Sequence, residues 1–332
     1  MAIRTVVIGL GSMGTNHVRI QSDLAGVELV GAADPRASVR AKKEAKYGMP
    51  VFEDYRRMLD ELKPDAVIAA VPTDMHADVS IEALERGCHV MVEKPIAPSI
   101  ADAERMIAAA KKADRLLMVG HIERFNPAVV EIARRVRLGE LGKIFQLHAR
   151  RLSPFPGRIQ DVGVTLDLAT HDIDAMHMIT GETPVRVFGE TARQAHETQE
   201  DMVSGTLRFP SGPIGVLDVN WLSPKKLRQL SVTGEGGVYL ADYLTQDVYW
   251  YKNGQLNTSW EPATRFSGAV EGDEIKTYMP KKEPLKIEHE EFVRAVSEGL
   301  SSPCSGEDGL AALRVALALV QSGESGEAIR LR

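Results

Sequence analysis

"TVVIGLGSMGTNH", Thr5 to His17, runs an apolar stretch into three glycines and then into a helix-like pattern. Gly9, Gly11 and Gly14 stand in G-x-G-x-x-G spacing, and the order of strand, glycine turn and helix is that of a dinucleotide-binding βαβ unit. The first glycine permits the tight turn, the second admits a pyrophosphate, and the third lets helix and strand pack closely. Backbone N–H groups at the helix start, those of Ser12 and Met13 among them, face the phosphates with partial positive charge. The next apolar run ends at Asp34, about twenty residues on, where a carboxylate binds both hydroxyls of a ribose. That acid repels the 2′-phosphate of NADP and so favours NAD, whereas Arg36 offers a guanidinium able to accept the same phosphate. Asp34 equally suits the N-cap of the following helix.

Outward from this fingerprint the same rhythm repeats. "VELVGAAD" (27–34), "DAVIAAV" (65–71), "HVMVE" (89–93) and "LLMVG" (116–120) are short apolar runs separated by amphipathic stretches. Continuous apolar strands are those buried on both faces, so residues 1–121 read as a doubly wound parallel sheet, a Rossmann domain. From about residue 143 strand candidates follow one another through short turns: "KIFQLHARR", "PVRVFGETA", "MVSGTLRFPSG", "IGVLDVNWL", "RQLSVTGEGG", "GVYLADY" and "DVYWYKNGQ". Connections too short for crossovers imply a large, mostly antiparallel sheet. One helix-like segment, Thr165 to Ile179, interrupts that series, and two more close the chain. The fold class is therefore α/β, a Rossmann domain over 1–121 followed by an α+β domain over 122–332.

A chain of 332 residues with 44% hydrophobic content can bury a large core. Its net charge of −6 comes from mixed signs without a long basic run, which argues against nucleic acid and polybasic membrane partners. Two cysteines, Cys88 and Cys304, without paired spacing suit a reducing, cytoplasmic setting better than a disulfide framework. Neither a signal peptide nor an apolar run of transmembrane length is legible.

Strand C-terminal ends are where ligands bind in open α/β sheets. Val71, Pro72, Thr73 and His76 follow one such end and are expected at the cofactor's ribose or pyrophosphate; Thr73 also suits an N-cap, and His76 a first-turn polar position. Glu93, Lys94 and Pro95 follow the next, on the side toward which a nicotinamide extends, and Glu93 is expected to contact the cofactor. A lysine there can hydrogen-bond a hydroxyl and favour the alkoxide formed as hydride leaves. Pro95 suits a cis Lys-Pro bond.

The succession of the fingerprint, "VPTDMH", "VEKP", "MVGHIERFNPA", "DLATHDID" and "GEDGLAALRVALALVQS" resembles the glucose-fructose oxidoreductase / inositol dehydrogenase (Gfo/Idh/MocA) family over essentially the whole chain. The resemblance implies that Lys94 is catalytic and lies against the nicotinamide, with Asp167 and His171 completing the site. Residues at i and i+4 share a helix face, so this carboxylate and imidazole can reach one point. His177, six residues from His171, points away, and no third ligand with metal spacing accompanies Asp167 and His171, so no metal is expected. The resemblance further implies an oxidation in which His171 is general base, Asp167 orients it or the hydroxyl, and Lys94 faces the developing negative oxygen.

Glu123, Arg124, Phe125 and Asn126 offer a carboxylate, a cation, an aromatic plate and an amide for a sugar, although Asn126-Pro127 also reads as a helix start. Arg150, Arg151 and Arg158 suit phosphate contacts or a solvated surface equally. The "GHIERFNPAV" segment is most similar to members acting on nucleotide sugars, UDP-N-acetylglucosamine 3-dehydrogenases in particular. Inositol, a free sugar, or a non-catalytic NAD-binding regulatory role stay open. Aromatic strands in "VLDVNWL" and "VYWYK" lead us to expect a homo-oligomer, and the resemblance implies a homodimer or homotetramer.

Overall fold

The computed structural model describes residues 2–157, 162–254 and 270–331. Two compact units are present: one comprises the chain up to Ile122 together with Glu283–Arg314, the other Glu123–Lys282 with Val315–Arg332. A single cut near residue 121 therefore does not separate them, because the segment after Lys282 packs back into the first unit.

The first unit is built on six parallel strands: β1 (Ile3–Ile8), β2 (Val27–Ala33), β3 (Val51–Phe52), β4 (Ala66–Ala69), β5 (His89–Glu93) and β6 (Leu117–Gly120). Their spatial order is β3-β2-β1-β4-β5-β6, so the direction of winding reverses between β1 and β4. This is the switch point at which such sheets open a crevice for ligands. Helices α1 (Ser12–Asp23), α2 (Ala37–Tyr47), α3 (Tyr55–Leu62), α4 (His76–Glu85) and α5 (Ile100–Ala113) make the crossovers. All four residues of β4 are buried, as a strand covered on both faces requires. Truncating Ile68 at its centre to Ala would cost about 2–5 kcal/mol.

The second unit begins with α6 (Pro127–Arg137), entered through Asn126 as N-cap, and continues through β7 (Ile144–Leu152) to a π-helical turn at Thr165–Ala169 and α7 (Thr170–Thr180). Seven strands follow: β8 (Arg186–Ala192), β9 (Met202–Arg208), β10 (Ile214–Asn220), β11 (Leu227–Gly234), β12 (Gly237–Asp242), β13 (Asp247–Gly254) and β14 (Val270–Thr277). Helix α8 (Pro284–Glu298) belongs to the first unit, α9 (Gly306–Ser325) continues from it into the second, and β15 (Ile329–Arg330) ends the chain. The nine-stranded sheet runs β14-β13-β12-β11-β7-β10-β9-β8-β15. Its neighbours are antiparallel except β7 and β10, which pair in parallel from Gln146↔Ile214 to Leu152↔Asn220. Burial alternates along β10 and β12, the period-2 pattern of a sheet with one face on the core.

Three strands lie outside the sequence expectation. β3 and β15 are two residues each, and β14 reads "VEGDEIKT", whose charges mask its period. The helix expected over Thr165–Ile179 is present but opens with the wider π-helical turn.

Candidate active site

The glycine turn is organised by contacts that only glycine permits. Gly9 has φ +86°, and a Cβ there would stand 2.4 Å from the Ala70 carbonyl oxygen; one on Gly14 would stand 1.8 Å from that of Gly9. A Cβ on Gly11 would meet nothing within 4 Å. Two glycines thus close β1, α1 and the end of β4 together, while the middle one, N-cap of α1 without a side-chain cap, borders open space. This is the cradle a pyrophosphate requires. Ser12 and Met13 form the first turn of α1 beside it.

Asp34 is buried at the tip of β2, and both oxygens are engaged. Oδ2 accepts from Leu10 N at 2.9 Å and Arg36 Nη2 at 2.8 Å; Oδ1 accepts from Arg36 N and Nε, each at 2.9 Å. Burial alone would raise this carboxyl, but the Arg36 and Leu10 donors outweigh it and hold it below the usual range. Asp34 does not cap α2, whose N-cap is Arg36.

Beyond β4, Val71 and Pro72 lead into a 3-10 turn at Thr73–Met75, and Thr73 is buried. His76 departs from expectation: Nδ1 lies 2.8 Å from the Pro95 carbonyl oxygen and Nε2 3.0 Å from that of Val71. With both ring nitrogens against backbone, it joins the β4 loop to the β5 loop rather than presenting itself to a ribose. Burial lowers its imidazole below the ordinary value.

At the end of β5 the Lys94–Pro95 peptide is cis. Glu93 Oε2 accepts from Lys94 N at 3.2 Å, and Oε1 lies 2.8 Å from His17 Nε2. Glu93 therefore serves the backbone that presents Lys94, whereas a cofactor contact was expected of it.

In the second unit Asp167 sits in the π-helical turn and His171 in the first turn of α7, half-buried and buried respectively. Wide turns of this kind are over-represented at functional sites because they re-aim side chains. Thr165 N donates to Glu200 Oε1 at 3.1 Å, and Val164 N to the Glu200 carbonyl at 2.9 Å, tying the turn to the approach to β9.

The four residues expected to contact a sugar are spent on the framework instead. Glu123 Oε1 accepts from Arg151 Nη1 at 3.0 Å, and Arg124 Nη2 pairs with Asp174 Oδ1 at 2.8 Å. Phe125 is buried. Asn126 caps α6 through Ala128 N at 3.1 Å and donates to Glu123 Oε2 and the Tyr243 carbonyl at 3.1 and 3.2 Å. Such a run, predicted from its mixed chemistry to face a ligand, faces inward because its partners come from β7, α7 and the end of β12. Arg151 grips Asp172 at 2.7 and 3.0 Å in the same cluster and is no phosphate ligand. Arg150 is exposed, with Nε 3.4 Å from Asp218 Oδ2. Arg158 lies outside the described residues.

Arg228 was not foreseen. It pairs across β7–β11 with Arg151, and its Nη1 lies 3.7 Å from Glu123 Oε1. Burial and the neighbouring Arg151 push its guanidinium down, against the pull of Glu123, Asp172 and Asp167. Sequence could reveal it only through the strand register. Among the described residues no cluster of three His, Cys, Asp or Glu could hold a metal, and no helix is long and apolar enough to cross a membrane.

Residues 3–121 match the family described as an oxidoreductase family with an NAD-binding Rossmann fold, and residues 129–240 match the Gfo/Idh/MocA C-terminal domain. The UDP-N-acetylglucosamine 3-dehydrogenase of Acidithiobacillus ferrooxidans is 28% identical over 99% of both chains. The myo-inositol 2-dehydrogenase of Thermotoga maritima is 27% identical over 99% of this chain and 98% of its own. A crystal structure of the Acidithiobacillus enzyme superposes with a TM-score of 0.85 at 26% identity, covering 98% of this chain and 99% of that one. With the glycine cradle, the acid at the tip of β2 and both domain matches in place, the chain belongs to the Gfo/Idh/MocA family of NAD-binding oxidoreductases.

Proposed function

We propose that this protein oxidises a secondary ring hydroxyl of a sugar, carbon 3 of a nucleotide sugar such as UDP-N-acetylglucosamine, with NAD as acceptor. The observation that carries the reading is the pairing of Asp167 and His171 on successive turns, in a chain whose other unit ends β5 in Glu93-Lys94-Pro95. The similarity to the Acidithiobacillus 3-dehydrogenase over nearly the whole of both chains supports the choice of sugar.

Gly9, Gly11, Ser12, Met13 and Gly14 would hold the pyrophosphate, Asp34 the adenosine ribose, and Val71 to Thr73 the edge of the crevice. NAD, when bound, supplies the hydride acceptor. His171 takes the proton from the hydroxyl, Asp167 orients the imidazole or the hydroxyl, and the Lys94 ammonium faces the oxygen as negative charge develops. Each proton-transfer partner is worth about 100- to 10,000-fold in rate.

The test is absorbance at 340 nm with UDP-N-acetylglucosamine, UDP-glucose, UDP-N-acetylglucosaminuronate, myo-inositol and glucose, each with NAD and NADP. Turnover with one nucleotide sugar, lost at least 100-fold in Lys94→Ala and His171→Ala with NAD binding intact, is expected. Turnover with myo-inositol alone would move the chain to the chemistry of its Thermotoga relative, and bound NAD without turnover on any sugar would leave a binding protein.

The same reading includes a homodimer or homotetramer through the outer face of the nine-stranded sheet, where Tyr249 and Tyr251 stack and Phe188 is exposed. Sedimentation at micromolar concentration showing only monomer would remove that part. A reducing, cytoplasmic setting accords with Cys88 and Cys304, both buried cysteines.

A further inference from the structure

The segment that returns to the first unit carries an imidazole into its core. His289, on α8, is buried against α1, where its Nε2 lies 2.8 Å from Nδ1 of His17, 272 positions away in sequence. His17 Nε2 in turn lies 2.8 Å from Glu93 Oε1. On the far side His289 Nδ1 is 2.5 Å from Gln21 Nε2, and the Thr5 hydroxyl is 2.8 Å from Gln21 Oε1.

The Gln21 amide, with its oxygen toward Thr5 and its nitrogen toward His289, sets the direction along this chain. Thr5 donates to the amide oxygen of Gln21, which leaves the amide nitrogen facing His289. An amide nitrogen only donates, so His289 Nδ1 is bare and its proton is on Nε2. That proton is given to His17 Nδ1, so the proton of His17 is also on Nε2 and is given to Glu93.

We infer that His17 and His289 are positioning residues, links in a one-way series of donors from Thr5 through Gln21 that fixes the Glu93 carboxylate, ionised, under the Lys94 backbone. The inference rests on the proposed role of Lys94. The far end of the series is closed: Thr5 and Gln21 are buried and carry no titratable proton. The chain therefore holds a charge in place and does not conduct protons to solvent.

The surroundings agree. The titratable groups facing Glu93 are His17 from α1, Lys94 from the following loop and His76 from α4, while β6 offers Gly120, whose added Cβ would stand 3.6 Å from Glu93 Oε2. Burial would raise the Glu93 carboxyl, but His17 and those neighbours hold it below the usual range. Burial and the adjacent His17 push His289 well below an ordinary imidazole, which keeps it a neutral donor.

Nitrogen-15 NMR of the imidazoles in the full chain, from pH 5 to 8, tests the direction without any substrate. Both histidines are expected as Nε2–H tautomers, with His289 not titrating; an Nδ1–H form of His289, or its titration in that interval, would overturn the inference. With the sugar selected above, His289→Phe is expected to move the acid limb of kcat/KM up by about one pH unit, because the carboxylate loses its oriented donor. Thr5→Val keeps the buried shape and removes only the hydroxyl that orients Gln21. It should yield mixed His289 tautomers and a smaller shift in the same direction; unchanged tautomers and an unchanged acid limb in that variant also overturn the inference. A chain that oxidises no sugar would remove the proposed function and leave the tautomer result standing, so the two failures are distinguishable.

Discussion

Two aspartates, one in each unit, are gripped by an arginine through nearly the same pair of bonds. Asp172 accepts from Arg151 at 2.7 and 3.0 Å, and Asp34 accepts from Arg36 at 2.9 and 2.8 Å. What differs is access. Both side chains of the first pair are 1% exposed, whereas Arg36 is 58% exposed over an Asp34 that is 2% exposed. A buried guanidinium has nowhere to go, and its charge must be matched in place; an exposed one can swing into water at little cost. The contact geometry does not distinguish the two pairs, but the exposure of the cation does.

The comparison breaks hardest at Arg151. Arg151→Met removes one partner from a cluster that also includes Glu123 and leaves Asp172 buried without its counter-charge, a situation that costs about 3–5 kcal/mol. Urea unfolding should show that loss as an earlier midpoint at unchanged slope. Adding Asp172→Leu should recover part of it, since a pair of apolar groups leaves no orphaned charge. A single variant within 1 kcal/mol of the parent would show that the cluster is wetter than its burial indicates.

The same contrast explains what the sequence discloses. The glycine turn, the position of Asp34 at the tip of β2 and the placement of Asp167 and His171 on successive helical turns are legible because each is set within a few residues or one strand-helix unit. Glu123, Arg124 and Asn126 mislead because a polar run does not announce where its partners lie. Arg151 and Asp174 stand 28 and 50 positions from the residues they bind and arrive only through the sheet order and α7. His17 and His289 are further apart still, joined only because the chain re-enters its first unit. β14 escapes detection for a different reason: Asp273, Glu274 and Lys276 are exposed there, so the period-2 apolar signal that marks β10 and β12 is missing.

The exposed pair sharpens the comparison through cofactor choice. Asp34 already accepts four hydrogen bonds, about all that a carboxylate has lone pairs for, and two of them come from the Arg36 side chain. On the proposed role of Asp34 the two hydroxyls of a ribose would need those places, so NAD binding would displace the guanidinium, while a 2′-phosphate would instead find it useful. Asp34→Ala removes the acceptor itself and should weaken NAD about 10- to 100-fold, the worth of hydrogen bonds to a charged group, while relieving repulsion of NADP. Arg36→Ala removes only the competitor. A partly exposed pair is worth at most about 1 kcal/mol, so NAD should bind up to about fivefold more tightly and NADP more weakly, with little change in folding stability. Titration of both dinucleotides against both variants, followed by intrinsic fluorescence, measures this directly. Weaker NAD binding in Arg36→Ala would mean that the arginine holds Asp34 in shape for the ribose, making it framework like Arg151 despite its exposure.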